Sequence, residues 1–285
     1  MTIAFAAAVG HAPGMVAWAD AAPPAQKDAL YAALDCLRRD LAAARVDEII
    51  LFTSEHWANF FLDHISAFCV GRGATFDGPI EPWLKLAGVK ILGDPDLATT
   101  IVESCYEKGI EPGYAYELAF DHGTMIPLHF LRPEMDLPVV PIFFNTLASP
   151  QPSARRCLEL GKIVGDIARR SDKRIALVAT GGMSHDPGER RHGWIDEAFD
   201  QRFLNEMASG DLEKLAHYTT DDFLAAGAGA VELLGWVALA GALGAYTSEI
   251  VAYEAVKPWA TGIGLMSFVP AEPLTIPAMT DWPSV

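Results

Sequence analysis

Apolar positions along the chain alternate between short unbroken runs and longer stretches with a helical period. Residues 2–9 and 48–53 (Glu-Ile-Ile-Leu-Phe-Thr) are runs of strand length, the pattern of strands buried on both faces. Between them, residues 26–44 carry Leu30, Leu34, Leu37 and Leu41 at helical spacing. Asp94-Pro95 is an N-cap and first-turn pair for a helix reaching about residue 108, where Gly109 ends it. Residues 138–144 read as another buried strand. Residues 153–170 read as an amphipathic helix with Cys157, Leu160, Val164 and Ile167 on one face. A strand over 174–180 delivers Gly181-Gly182, and 221–245 holds one long helix or two broken ones. Strands alternating with helices predict a layered α/β domain with a mainly parallel sheet. Residues 71–93, rich in glycine and proline around an isolated Trp83, read as a long excursion, and the proline-rich tail after Pro270 as a surface wrap.

Composition narrows the possible partners. Of 285 residues 51% are apolar, enough for a large core. A net charge of −16 argues against nucleic acid and anionic membrane surfaces. The apolar stretch 233–246 is short and glycine-rich for a membrane span, and the apolar start lacks a basic leader region and reads as a first strand. The expectation is a soluble cytoplasmic protein. Cys36, Cys69, Cys105 and Cys157 form no CxxC pair; Cys36, Cys105 and Cys157 fall on the apolar side of expected helices and read as reduced core thiols.

Chemistry concentrates at histidines beside chain breakers: Gly10-His11-Ala-Pro-Gly14, Ser54-Glu55-His56-Trp57, Asp121-His122-Gly123 and Gly181-Gly-Met-Ser-His185. His11, His56 and His185 follow apolar runs by two to five residues, which predicts one shared edge of the sheet, beyond the carboxyl ends of the strands. From Phe223 to Ser248 the one side chain charged at neutral pH is Glu232, a carboxylate that is costly in an apolar helix unless a cation or hydrogen bonds receive it. Two histidines and one carboxylate form the ligand set of non-haem Fe(II) oxygenases. His64, His192 and His217 read as structural or solvated, and His129 as lying near a helix start, behind the site at most.

Taken in order, these motifs carry a resemblance. His11 with its Pro-Gly, Glu55-His56-Trp57-Ala-Asn59-Phe-Phe61, Asp121-His122-Gly-Thr124, Gly181-Gly-Met-Ser-His185 and Ala228-Gly-Ala-Val-Glu232 with Trp236 resemble the motifs of class III (LigB-type) extradiol ring-cleaving dioxygenases. The resemblance runs from about residue 8 to about residue 266. It implies a single α/β/α domain over 1–285 around a mainly parallel or mixed sheet. It implies that His11, His56 and Glu232 ligate Fe(II), that His122 and His185 are acid/base residues facing the substrate, and that Asn59 lines the pocket. Thr261 and Ser267 are further candidate substrate contacts.

The activity so implied is opening of a catechol or aminophenol ring with both atoms of O2. A homo-oligomer, with or without a small accessory subunit, goes with it; no lid domain fits within this chain. Two other readings stand beside it. One is a catalytically silent, Memo-like binding module; the other is a Zn(II) hydrolase on the same His/His/Glu set.

Overall fold

The computed structural model describes residues 3–188 and 190–271. The chain opens with β1 (Ile3–Val9), the one-turn helix α1 (Gly14–Ala17) and the long helix α2 (Pro24–Ala44). Strands β2 (Glu48–Ser54) and β3 (Phe68–Gly71) follow, then a small antiparallel pair, β4 (Thr75–Gly78) and β5 (Val89–Leu92). Next come α3 (Pro95–Glu107), β6 (Gly113–Ala115), α4 (His122–Leu131) and β7 (Val139–Phe144). Helix α5 (Ala154–Arg170) leads to β8 (Ile175–Thr180), and three helices succeed it: α6 (Glu197–Ser209), α7 (Leu212–Ala216) and α8 (Thr220–Ala226). A 3-10 segment, Ala228–Leu233, runs into α9 (Leu234–Leu243), and the long strands β9 (Tyr246–Val256) and β10 (Thr261–Pro270) complete the described chain.

Eight strands make one sheet in the order β6-β3-β7-β2-β8-β1-β10-β9. Its centre, β7-β2-β8-β1, is parallel; β10 and β9 on one side and β3 on the other join antiparallel. The sheet is therefore mixed around a parallel heart. Side-chain alternation sends each central strand into two cores. Ile50, Phe52, Leu177, Ala179, Val140 and Ile142 pack under α3, α5 and α9. Ile49, Leu51, Ala176, Val178 and Phe143 pack under α2 and α4. Burial on both faces is why these strands read as unbroken apolar runs.

Helix signals hold locally. The Asp94 carboxylate accepts the Leu97 N–H at 2.9 Å and Ser153 Oγ accepts that of Arg156 at 3.3 Å; caps of this kind contribute about 1 kcal/mol each. Arg155 lies on the solvated face of α5, 3.1 Å from Glu213.

Three expectations need correction. Of the two readings of 221–245 the broken one holds, with Gly227 at φ 124° ending α8, but Glu232 sits on the 3-10 turn before α9 rather than inside an α-helix. Cys36 is exposed on α2 beside Arg39, so only Cys69, Cys105 and Cys157 are core thiols. The excursion over 71–93 holds strands β4 and β5, and β9–β10 is a long hairpin absent from the helical and apolar pattern. The tail beyond residue 271 lies outside the described residues.

Candidate metal centre

Three adjacent parallel strands, β2, β8 and β1, all end at one edge of the sheet. His11 stands two residues beyond β1, His56 two beyond β2 and His185 five beyond β8. Helix α4 starts at the same edge with His122 as its first residue, and the 3-10 turn brings Glu232 across the top. Asp121 caps α4, and the His122 ring is largely covered.

Each of the four imidazoles commits its Nδ1 to an oxygen of the protein. His11 Nδ1 lies 2.7 Å from Thr180 Oγ1, whose own hydrogen goes to the Gly123 carbonyl at 3.1 Å, so the hydroxyl oxygen accepts from the ring. His56 Nδ1 donates to Asp121 Oδ2 at 3.0 Å, and His185 Nδ1 to the Met183 carbonyl at 2.8 Å. His122 Nδ1 donates to Glu81 Oε1 at 2.5 Å. The Nε2 atoms are thereby left for the centre, the arrangement by which outer partners fix ligand tautomers.

Glu232 is where they meet. Its oxygens lie 3.5 Å from His11 Nε2, 3.2 Å from His56 Nε2 and 3.6 Å from His185 Nε2, and Oε2 also accepts the Gly182 N–H at 2.8 Å. No Lys or Arg among the described residues pairs with it, and it is 4% exposed. Ring nitrogens of His11, His56 and His122 also fall within 4.8 Å of one another, a cluster able to hold a metal ion.

Electrostatics follows from this crowding. Burial, against a weaker pull from Glu232, lowers His11 to about 3, so it stays neutral and free to ligate. Burial also opposes the charged form of His56, but Asp121 and Glu232 more than offset it and raise His56 well above its ordinary value. Burial works against the Asp121 anion too, yet His56 and His122 hold it at about 2. Glu232 is lowered well below the usual carboxylate range because His11, His185 and His56 outweigh its burial. His185 is raised, burial being overcome by Glu232 and the Met183 carbonyl. The site concentrates negative charge and draws positive charge in.

Local chain geometry shapes the pocket. The Glu55 carboxylate accepts the N–H groups of Trp57 at 2.9 Å, Ala58 at 2.5 Å and Asn59, curling the loop that presents His56. A Cβ on Gly229 would lie 2.1 Å from the His185 ring, so only glycine lets the 3-10 segment pass. Ser184, next to His185, donates from both N and Oγ to Asp200 at 2.8 Å each, and Tyr253 Oη donates to the same carboxylate at 2.8 Å.

The remaining sequence candidates separate. Asn59 spends its amide on Ala119, donating to its carbonyl at 2.9 Å and accepting its N–H at 2.8 Å, which ties the His56 loop to the approach to α4. Thr261 is buried at the start of β10, close to Gly182. Ser267 pairs with Ala7 while Leu265 pairs with Val9. Because β10 runs antiparallel to β1, Ser267 lies down the sheet, away from the histidine edge. His129 falls near the end of α4, not its start, lining a groove with Tyr31, Asp35 and Arg38. Thr180, Glu81 and Asp200 were missed by sequence reading. Thr180 carries a weak signal as the polar end of an apolar run; Glu81 and Asp200 carry none, because their partners are 41 and 16 residues away.

A polar donor set of imidazoles and a buried carboxylate at the carboxyl edge of a parallel sheet defines a metal-dependent enzyme centre. The chain matches the family model for the catalytic LigB subunit of aromatic ring-opening dioxygenases over residues 5–264, and it belongs to that family. It is a ring-cleaving dioxygenase of the extradiol, LigB type. It is similar to proteins named 2,3-dihydroxyphenylpropionate/2,3-dihydroxicinnamic acid 1,2-dioxygenase. The Photorhabdus laumondii protein is 28% identical, with 80% of this chain and 84% of the relative covered. The Burkholderia vietnamiensis protein is 29% identical, with 76% and 83% covered. The crystal structure of an uncharacterized Escherichia coli protein shares the fold, with a TM-score of 0.58 at 18% identity over 92% of this chain and 98% of that one. Among the described residues, no helix is long and apolar enough to cross a membrane.

Proposed function

We propose that this protein is an Fe(II)-dependent extradiol dioxygenase that opens a catechol-type or aminophenol ring, with His11, His56 and Glu232 holding the iron. The observation that supports it most is the common polarity of the histidines, every Nδ1 spent on the protein and three Nε2 atoms aimed at one buried carboxylate. Two donor triplets are available, three imidazoles or two imidazoles with Glu232. The second is favoured because no Lys or Arg among the described residues pairs with the buried Glu232, so that its charge is balanced by the surrounding imidazoles or by a bound cation. The separations of 3.2–3.6 Å include one hydrogen bond, His56 Nε2 to Glu232 Oε1 at 3.2 Å, and also suit donors gathered about a common ion.

Iron bound there supplies the redox-active Lewis acid at which an aromatic diol and dioxygen are brought together. The chain's own residues supply the proton handling. His185, on its tight loop, accepts a proton from a substrate hydroxyl, and Glu232 and the Met183 carbonyl stabilise the imidazolium that results. His122, with its Nδ1–H on Glu81, presents Nε2 as the acceptor for a substrate proton that it then returns to an oxygen of the opened ring. Thr261 and the Gly182 loop wall the pocket behind His185. The names of the relatives support a vicinal diol carrying a short acid side chain as the substrate class. Three buried free thiols, Cys69, Cys105 and Cys157, suit a reducing cytoplasm. An oligomer or an accessory subunit remains part of this proposal by family resemblance alone.

The test is metal analysis after anaerobic purification, followed by oxygen uptake with a panel of catechols and aminophenols. About one iron per chain, stoichiometric oxygen consumption and a yellow ring-fission product are expected. Zinc in the chain with no oxygen uptake in the iron-reconstituted protein would replace this reading with a hydrolase.

A further inference from the structure

Residues 71–93 leave the main sheet, form β4 and β5, and carry a 3-10 turn, Pro82–Leu84, between them. This excursion is fastened to the site from both sides. Lys85 Nζ donates to the Ala17 carbonyl at 2.8 Å, just beyond the His11 loop. The Trp83 ring stands 5.6 Å from the His122 ring and 6.1 Å from that of Trp18. At the head of the turn, Glu81 Oε1 meets His122 Nδ1 at 2.5 Å, with the Glu81 side chain 15% exposed.

His122 is held by its backbone at the start of α4 and by ring packing, 4.1 Å from His56 and 5.6 Å from His11 between centroids. Packing fixes the plane of an imidazole but discriminates poorly between its two edges, which have nearly the same shape. A carboxylate against one edge removes that ambiguity. It only accepts, so Nδ1 carries the hydrogen and Nε2 of the neutral ring is left as the acceptor.

We propose that Glu81 is the positioning residue for His122, fixing its ring orientation and tautomer so that Nε2 faces the centre, and that the 71–93 excursion exists in part to deliver it. This rests on the reading that His122 works on the substrate. Among the described residues the hydrogen-bond and ion-pair partner of Glu81 is His122, through which it acts.

The test uses the full chain with ¹⁵N-labelled histidine, metal-free for spectroscopy and iron-loaded for kinetics. Long-range ¹H–¹⁵N spectra, assigned by the signals lost in His122→Gln, are expected to show His122 protonated at Nδ1. Glu81→Met, which replaces the carboxylate by an apolar chain of similar length, is expected to give the Nε2–H form or a mixture. It is also expected to lower kcat about 10- to 100-fold with iron content unchanged and KM within about threefold. A wild-type tautomer in Glu81→Met overturns the proposal, as does a changed tautomer with wild-type kcat. Should Glu81→Met lose its cooperative melt, Glu81→Leu, which likewise carries no acceptor, is judged by the same two readouts. A wild-type chain that opens no ring removes the dioxygenase reading and leaves the tautomer to decide the role of Glu81.

Discussion

Asp121 joins His56 to the helix that carries His122. Its Oδ2 accepts both the backbone N–H of His56 at 2.8 Å and the ring Nδ1–H at 3.0 Å, while Oδ1 accepts the Gly123 N–H at 2.9 Å as the cap of α4. One carboxylate thus sets the tautomer of one imidazole and the backbone position of another. Asp121→Asn retains an oxygen for the cap but removes the anion that favours Nδ1–H and raises ligand basicity. Its metal affinity is expected to fall about 10- to 100-fold, with a modest loss of stability of about 1 kcal/mol or less. Metal titration of the apoprotein by calorimetry checks this; wild-type affinity in Asp121→Asn would mean that Asp121 serves the helix alone.

The roles proposed for four central residues, His11, His56, Glu232 and His185, separate metal binding from turnover. Glu232→Gln, His11→Ala and His56→Ala are each expected to lose stoichiometric iron. His185→Phe is expected to keep iron and lose turnover by about 10²- to 10⁴-fold, the usual worth of general acid–base help. Iron analysis beside single-turnover kinetics distinguishes the two groups. Full iron in all three ligand variants, or normal turnover in His185→Phe, would break the assignment.

How much of this was legible in the sequence depends on the range of the interaction. The central strands were readable because both faces are buried, so Ile49 through Phe52 are all apolar. The ends of those strands carry His11, His56 and His185, and that placement was enough to predict their convergence. The β9 strand was not readable, since an edge strand is half-exposed and carries mixed residues such as Thr247, Glu249 and Glu254. The residues that aim the histidines were equally hidden. Thr180 meets a histidine 169 positions away, and Glu81 comes from a segment with no strong period. A lone acid in a loop announces no partner. The break at Gly227 was half visible: glycines and alanines weakened the helix signal there without showing that Glu232 would sit on a 3-10 turn.

Gly229 offers a steric test of the same architecture. A methyl group there would overlap the His185 ring, with Cε1 and Nε2 each 2.1 Å from the added carbon. Gly229→Ala is expected to displace His185 or the 3-10 turn bearing Glu232, cutting kcat by at least about tenfold while the two hydrophobic cores stay intact. Overpacking of this kind typically costs about 1–3 kcal/mol. Kinetics together with a thermal melt decide the matter, and a fully active Gly229→Ala would show that the close approach is not required for catalysis.

Asp200 gives the clearest pH signature in the fold. It is fully buried, its partners are the neutral donors of Ser184 and Tyr253, and burial, only partly offset by those donors, raises its carboxyl to about 6. A raised acid binds its proton more tightly folded than unfolded. Its penalty is therefore absent below about pH 4, the unfolded value, grows as pH rises, and is complete above about pH 6. Asp200→Asn removes this titration and retains an acceptor for Ser184. Denaturant unfolding of the metal-free protein at pH 4 and pH 7 is expected to show the wild type losing stability relative to Asp200→Asn, by on the order of 2–3 kcal/mol across that window. Comparison with the variant cancels the other titrating groups, such as Asp121, which both proteins share. Because Asp200 also holds the Ser184–His185 loop, Asp200→Asn is expected to lower kcat with iron retained. Parallel stability profiles for the two proteins would show that Asp200 is not carried as a strained anion at neutral pH.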